Sequence, residues 1–340
     1  GIRPDDAAVR VPRCCCRSNQ NVETSLLRRR KLGFVDVAGP WALHSTHFFS
    51  LLRGFRLPML TLTPTHLRAL LRQRALEATE HLKACQLCEH RCGNDRRVDT
   101  SGPCHAGTTA RVFRHRVEYG EETELVPSHL FYLSGCDLRC KFCIAESNAF
   151  NPRSGTPLTA DFLRQALAQE SDKLATNLQW VGGEPNIHIP AILQAMSEVD
   201  ELPRITWKSD FYGNPQALEL LDGIVDTFVA DLKFGNNVCS MKIASVDRYW
   251  ETVTRNLLSA ASRGNLIVRH LILPGHHECC LVPIVRWLAE QMPGVKFSLR
   301  DGYLPKWQAK HDPLLRNPLT LPAIREAKRL ARSYHLNLIQ

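Results

Sequence analysis

Three cysteines of the stretch GCDLRCKFC, namely Cys136, Cys140 and Cys143, stand in the spacing C-x3-C-x2-C. Thiolates two or three residues apart bridge each other poorly but converge readily on a metal centre. Their odd number is informative. A structural zinc ion or an electron-transfer cluster closes its coordination with four protein ligands, so three leave one metal position open to a small molecule. A second group, Cys85, Cys88, Cys92 and Cys104, reads C-x2-C-x3-C-x11-C. Its four thiolates suit a tetrahedral zinc ion or an auxiliary iron–sulfur cluster, and the spacing does not choose between them. Cys239, Cys279 and Cys280 fall outside both groups. They read as small buried hydrophobes or loop thiols, with a ligand or catalytic role left open by their place at strand and loop ends.

The elements that must position these residues follow from hydrophobic patterning. Apolar, β-branched runs at 129–134, 177–182, 204–208, 224–232, 266–273 and 295–299 alternate with helix-like stretches at 159–175, 189–199, 214–221, 240–262, 280–291 and 320–333. Six such repeats predict βα units on a parallel sheet, and because eight would close a barrel, six predict an open one. The expected fold class is α/β, a partial β/α barrel with a small N-terminal Cys-rich metal-binding region. Cys136 follows the first barrel run, SHLFYL, at its C-terminal end, the end that carries catalysis in β/α barrels. Ahead of the barrel, Thr63 and Pro64 predict a helix start near residue 64, continued by Leu67, Leu70, Leu71 and Leu82.

GCDLRCKFC resembles the CxxxCxxC signature of radical S-adenosylmethionine (SAM) enzymes, and Trp180-Val181-Gly182-Gly183-Glu184-Pro185 is similar to their GGEP motif. Within that superfamily, several stretches resemble a branch related to pyruvate formate-lyase activating enzyme. They are WKSDFYG (207–213), VADLKFGNNVC (229–239), VRHLILPGHHEC (268–279) and SLRDGYLP (298–305), with CQLCEHRCGNDR (85–96) and GPC (102–104) as a leading motif. The resemblance covers about residues 75–335.

The resemblance implies a [4Fe-4S] cluster on Cys136, Cys140 and Cys143, with the fourth iron bound by the methionine part of SAM. It implies Phe142 beside the adenine, and Gly182, Gly183 and Glu184 at the methionine. One electron from the cluster, supplied by a donor such as flavodoxin or ferredoxin, would yield a 5′-deoxyadenosyl radical that abstracts hydrogen from substrate. That substrate is expected to be a glycine of a partner glycyl-radical enzyme. The alternatives are modification of a peptide, an RNA or a small molecule, or a non-catalytic iron–sulfur or zinc module. Lys208, Ser209, Asp210, Asp231, Lys233, Arg269 and His270 are candidates for SAM or substrate contacts, and no individual residue is assigned as catalytic. Asp231 and Lys233 lie two apart and share a strand face, where an ordinary ion pair is as good a reading as a site. Arg269 and His270 must point to opposite faces, and Arg269 is the expected inward one.

The chain carries 43 Lys and Arg against 34 Asp and Glu, a net charge of +9. All of that excess lies in residues 1–75, which hold 13 basic and 4 acidic side chains. Residues 1–58 lack periodicity, hold the Cys14-Cys15-Cys16 triplet and precede the first Met, Met59. They read as a disordered tail or an upstream-translated extension, in preference to a targeting segment. Residues 59–110 are expected to form the N-terminal helix and Cys-rich region, and 111–340 the barrel. Charged residues interrupt every apolar run, so no membrane span is expected. A nucleic-acid partner is not expected, since the basic run lacks interleaved aromatics. An oxygen-sensitive cluster would place the protein in a reducing cytoplasm.

Overall fold

The computed structural model describes residues 63–339; the expectations for residues 1–58 and for Met59 lie outside them. Nine strands form one sheet: β1 Arg111–Glu118, β2 Ser128–Leu133, β3 Thr156–Pro157, β4 Asn177–Gly182, β5 Arg204–Ser209, β6 Thr227–Asp231, β7 Asn265–Leu271, β8 Lys296–Arg300 and β9 Asn337–Ile339. Their order is β3-β1-β2-β4-β5-β6-β7-β8-β9, so the first and last strands do not meet and the barrel is open. From β2 through β9 every pairing is parallel, while β1 is antiparallel to both β2 and β3.

The six expected strand runs correspond to β2 and β4–β8. The structure adds β1, β3 and β9. β1 escaped the sequence reading because its alternation breaks at a bulge between Val112 and Arg114, which carries Val112 and Val117 inward out of simple period-two register.

The helices are α1 Pro64–Glu80, α2 Glu146–Ala149, α3 Ala160–Gln169, α4 Ile189–Ser197, α5 Pro215–Leu220, α6 Asn237–Ala244, α7 Tyr249–Ala261, α8 Val282–Gln291 and α9 Leu321–Ser333. α1 starts where its cap residues predict: the Thr63 hydroxyl accepts from the His66 N–H and Pro64 occupies the first turn. The continuous helix expected over 240–262 is instead α6 and α7. Ser245 and Arg248 adopt left-handed backbone (φ 59° and 45°), which ends one helix and reorients the chain before the next. Neither residue type advertises that break. Among the described residues no helix is long and apolar enough to cross a membrane.

Among the described residues the largest apolar core joins the sheet, its helices and the N-terminal region, beside two small clusters, Cys104 with Ala106 and Ile187, and Leu125 with Val229 and Ile267. The large core includes Leu71, Ala75 and Ala78 of α1 and Cys85 and Leu87 of the Cys-rich loop, together with Trp180, Trp207, Phe228 and Phe297 of the strands. α1 packs along α4.

Candidate functional site

The loop after β2 carries Cys136, Cys140 and Cys143, and neighbouring backbone holds it in three places. The N–H groups of Arg139 and Lys141 donate to Ala244 and Ile243 at the C-terminus of α6 (3.0 and 2.8 Å), and the Ala309 N–H donates to the Lys141 carbonyl (2.8 Å). Upstream, His188 Nε2 meets the Ser134 carbonyl at 2.6 Å, and burial holds His188 neutral with a pKa of about 3. The turn after β4 docks on the same segment: the Gly183 and Glu184 N–H groups donate to Leu133 and Gly135 (2.7 and 2.9 Å). This close approach requires the two glycines. A Cβ on Gly182, at φ +121°, would lie 2.2 Å from the Leu133 nitrogen, and one on Gly183 would lie 1.7 Å from the Gly135 oxygen.

At this strand end lies a cavity of about 260 Å³ lined by the three cysteines. Phe142, Gly182, Gly183, Asp210, Asp231, Lys233 and Arg269 also face it, and Ile144, Phe150 and Leu304 form an apolar wall. Lys233 Nζ donates to Asp231 Oδ2 at 2.7 Å, and Arg269 Nε lies 3.8 Å from Asp231 Oδ1. Burial would raise the Asp231 carboxyl, yet Lys233 and Arg269 hold it down at about 2.

Other candidates sit behind the cavity wall. Glu184 is 1% exposed; its Oε1 accepts from the Asn186 N–H and the Ser209 hydroxyl (2.9 and 2.7 Å), and its Oε2 from the Asp210 N–H (2.8 Å). The structure thus places Glu184 and Ser209 as braces of the strand-end turns, and burial beside the Asp210 and Asp137 carboxyls pushes the Glu184 carboxyl well above the ordinary range. Lys208 is buried outside the cavity lining and pairs with Glu121 of the β1–β2 loop. His270 is buried on the other face of β7, with Nδ1 2.7 Å from the Leu232 carbonyl.

Sequence reading missed that acidic loop. Glu121 Oε2 accepts from Lys208, from Arg269 (3.2 Å) and from Gln179 (3.4 Å), and Glu122 Oε1 accepts from Ser298 (2.8 Å). Burial opposes ionisation of Glu121, but Lys208 and Arg269 outweigh it and bring its pKa to about 2. Burial and Arg269 in turn push Lys208 down despite Glu121. Asp137 was missed as well. It is buried against Asp210 and Cys136, with one oxygen of each carboxylate and the Cys136 sulfur all within 4.8 Å of one another. Burial and Asp210 push its carboxyl well above the ordinary range.

The donor set fits a thiolate-bound cluster. Burial pushes all three thiols up, Cys140 to about 12, so they are protonated at neutral pH unless a cation draws the protons off, as an iron centre does. In the N-terminal group, burial likewise raises Cys88, Cys92 and Cys104. The Arg96 guanidinium, 4% exposed, stands 3.9 Å from Cys85 Sγ and also donates to the carbonyls of Ala106, Ile187 and Gly107. A fixed buried cation beside these sulfurs suits a site that becomes anionic when its thiols ionise.

A relative from Methanocaldococcus jannaschii, "Uncharacterized protein MJ0674", is 31% identical over 265 residues, covering 76% of this chain and 77% of its own. Among solved structures, SuiB of Streptococcus suis bound to its precursor peptide SuiA is similar at 17% identity and a TM-score of 0.46, over 60% of this chain and 46% of that one. This chain therefore spans about half of SuiB. A radical SAM methyltransferase from Sphaerobacter thermophilus is similar at 13% identity and a TM-score of 0.44, over 82% and 93% of the two chains. The sequence pattern of the Radical SAM superfamily matches residues 130–288, a span that runs from β2 into α8 and contains the three-cysteine loop, the glycine turn and the cavity's charged strand ends. Together with the extent of the archaeal match, that places this chain in the radical SAM superfamily.

Proposed function

We propose that this enzyme holds a [4Fe-4S] cluster on Cys136, Cys140 and Cys143 and binds SAM in the adjoining cavity, to generate a radical that takes hydrogen from a glycine of a partner protein. The observation that carries the reading is one cavity lined by all three cysteines, an aromatic ring and the Asp231, Lys233 and Arg269 charge set. When bound, the cluster and SAM supply one-electron cleavage of a sulfonium to a 5′-deoxyadenosyl radical.

The chain's own residues bind, orient and exclude water. Lys233 and Arg269 offer two cations to the methionine carboxylate, with Asp231 fixing their positions through its ion pairs. Phe142 presents a flat face for the adenine, itself supported by Phe234 and Tyr303 at ring separations of 6.4 and 6.3 Å. Glu184 holds the Ser209 and Asp210 ends of the turns that bound the methionine side. Ile144 and Leu304, 72% and 53% exposed, give the mouth an apolar rim on which a polypeptide segment could rest. The electron would come from a small carrier such as flavodoxin or ferredoxin, in a reducing cytoplasm. The group Cys85, Cys88, Cys92 and Cys104 would hold a second metal centre, zinc or an auxiliary cluster, in the N-terminal region spanning 59–110.

Anaerobically reconstituted protein with reductant should convert SAM to 5′-deoxyadenosine and methionine, and replacing all three cysteines of the loop by Ala should abolish this. Wild-type turnover by that triple variant would overturn the cluster assignment. With a partner protein deuterated at its glycine α-carbons, deuterium should appear in 5′-deoxyadenosine. Undiminished SAM cleavage without deuterium transfer would overturn the glycine target alone.

A further inference from the structure

A further cluster of soft ligands lies outside the cavity lining. Cys239 is in the first turn of α6, while His276, Cys279 and Cys280 belong to the segment leading into α8. One donor atom from each, three sulfurs and the imidazole Nδ1, lies within 4.8 Å of every other, and all four residues are buried. The Nδ1 of His276 is 3.2 Å from Cys279 Sγ, 3.6 Å from Cys239 Sγ and 3.9 Å from Cys280 Sγ. A tetrahedral zinc ion with ordinary Zn–S and Zn–N bond lengths holds its sulfur and nitrogen ligands about 3.5 Å apart. The observed separations bracket that value.

Local structure converges on the same point. Asn236 caps α6 by accepting from the Cys239 N–H (2.8 Å), and its amide also donates to Cys239 Sγ (3.4 Å) and to the Cys279 carbonyl. An amide donor to a ligating sulfur and a helix N-terminus both stabilise a thiolate. Around His276 the chain makes a short π-helical turn, His277–Leu281, so that Cys279 and Cys280 both reach the imidazole. Gly235 lets the two segments meet, since a Cβ there would lie 2.4 Å from the Cys280 carbonyl oxygen.

We infer that Cys239, His276, Cys279 and Cys280 form a structural zinc site, distinct from the three-cysteine loop and from the N-terminal cysteine group. Four protein donors close the coordination sphere, so the ion has no open position and serves as a clamp. It would pin the N-terminus of α6, the helix whose C-terminal carbonyls at Ile243 and Ala244 hold the three-cysteine loop. The zinc-bearing form needs Cys279 as a thiolate. Cys279 stands in a disulfide in this structure. A thiol reductant must therefore return two electrons and two protons to that bond before the released thiol loses its proton to the metal.

The test is zinc content of the full chain purified under thiol reductant, measured by elemental mass spectrometry. Cys239→Ser and Cys280→Ser should each contain one zinc equivalent less per chain than wild type. His276→Cys keeps four soft ligands and should keep that equivalent, which guards against loss through misfolding. In a background lacking Cys136, Cys140 and Cys143, cobalt should give intense sulfur-to-metal absorption and tetrahedral visible bands that weaken in Cys239→Ser. Unchanged zinc content in Cys239→Ser and Cys280→Ser, or a cobalt spectrum unaffected by Cys239→Ser, would overturn the site.

Discussion

A methyl group on Gly183 would lie 1.7 Å from the carbonyl oxygen of Gly135, the residue immediately before Cys136. The turn after β4 and the loop after β2 are therefore in backbone-to-backbone contact. Gly183→Ala must push one of them away and displace Cys136 from the position it shares with Cys140 and Cys143. Iron per chain after reconstitution should fall by more than half, and the fold should lose about 1–3 kcal/mol, as overpacked sites do. Normal iron loading would show that the turn yields without moving the loop.

Glu184 supports three donors with one carboxylate. Glu184→Gln replaces an oxygen by an amide N–H₂, which sets donor against donor at Ser209 or at the Asp210 N–H. Unfolding free energy should drop by about 1–3 kcal/mol, the usual cost of a buried unsatisfied group. An unchanged denaturation midpoint would mean that the turn does not depend on this brace.

Arg269 and His270 are adjacent but face opposite sides of β7, which separates a binding role from a packing role. Arg269→Met removes a cation from the cavity and should weaken SAM binding about tenfold. His270→Leu loses the bond to the Leu232 carbonyl inside the protein and should cost about 1–3 kcal/mol of stability. SAM affinity in that variant should stay within about twofold of wild type. Equal effects of the two substitutions on SAM affinity, measured by calorimetric titration, would contradict this division.

The Glu121 carboxyl is held down from 4.5 to about 2 in the folded chain. A depressed folded-state value contributes stability that is complete above the unfolded value and disappears as pH falls through the folded one. Wild type should thus lose roughly 3 kcal/mol from this group between about pH 5 and pH 2. Glu121→Gln should be less stable at neutral pH, because it leaves buried Lys208 uncompensated, but its acid limb should be flatter. The gap between the two unfolding curves should narrow as pH falls; a constant gap would count against Glu121 as the titrating group.

Much of the cavity's lining was legible because local chemistry wrote it. The Cys136, Cys140 and Cys143 spacing, the glycine turn, the two-apart placement of Asp231 and Lys233 and the alternation of Arg269 with His270 are all short-range patterns, and the cavity unites the cysteines, the glycines, Asp231, Lys233 and Arg269. Long-range partnerships were not legible. Glu121 meets Lys208 and Arg269 across 87 and 148 residues, and nothing near Glu121 in sequence distinguishes it from a solvated loop acid. The gathering of Cys239 with His276, Cys279 and Cys280 likewise depends on the parallel pairing of β6 with β7, which brings their following loops side by side. The break between α6 and α7 rests on left-handed Ser245 and Arg248, residues whose types give no warning of it.

The shared core of α1, the Cys-rich loop and the sheet has a thermodynamic consequence. Leu71, Ala75 and Ala78 pack within the same apolar cluster as Trp180 and Trp207, so the N-terminal region cannot melt without exposing surface that the strands also bury. Heating residues 63–339 should then produce one endotherm in which calorimetric and van't Hoff enthalpies agree, and chelating the metal proposed for the Cys-rich loop should lower the temperature of the entire transition instead of splitting off an early shoulder.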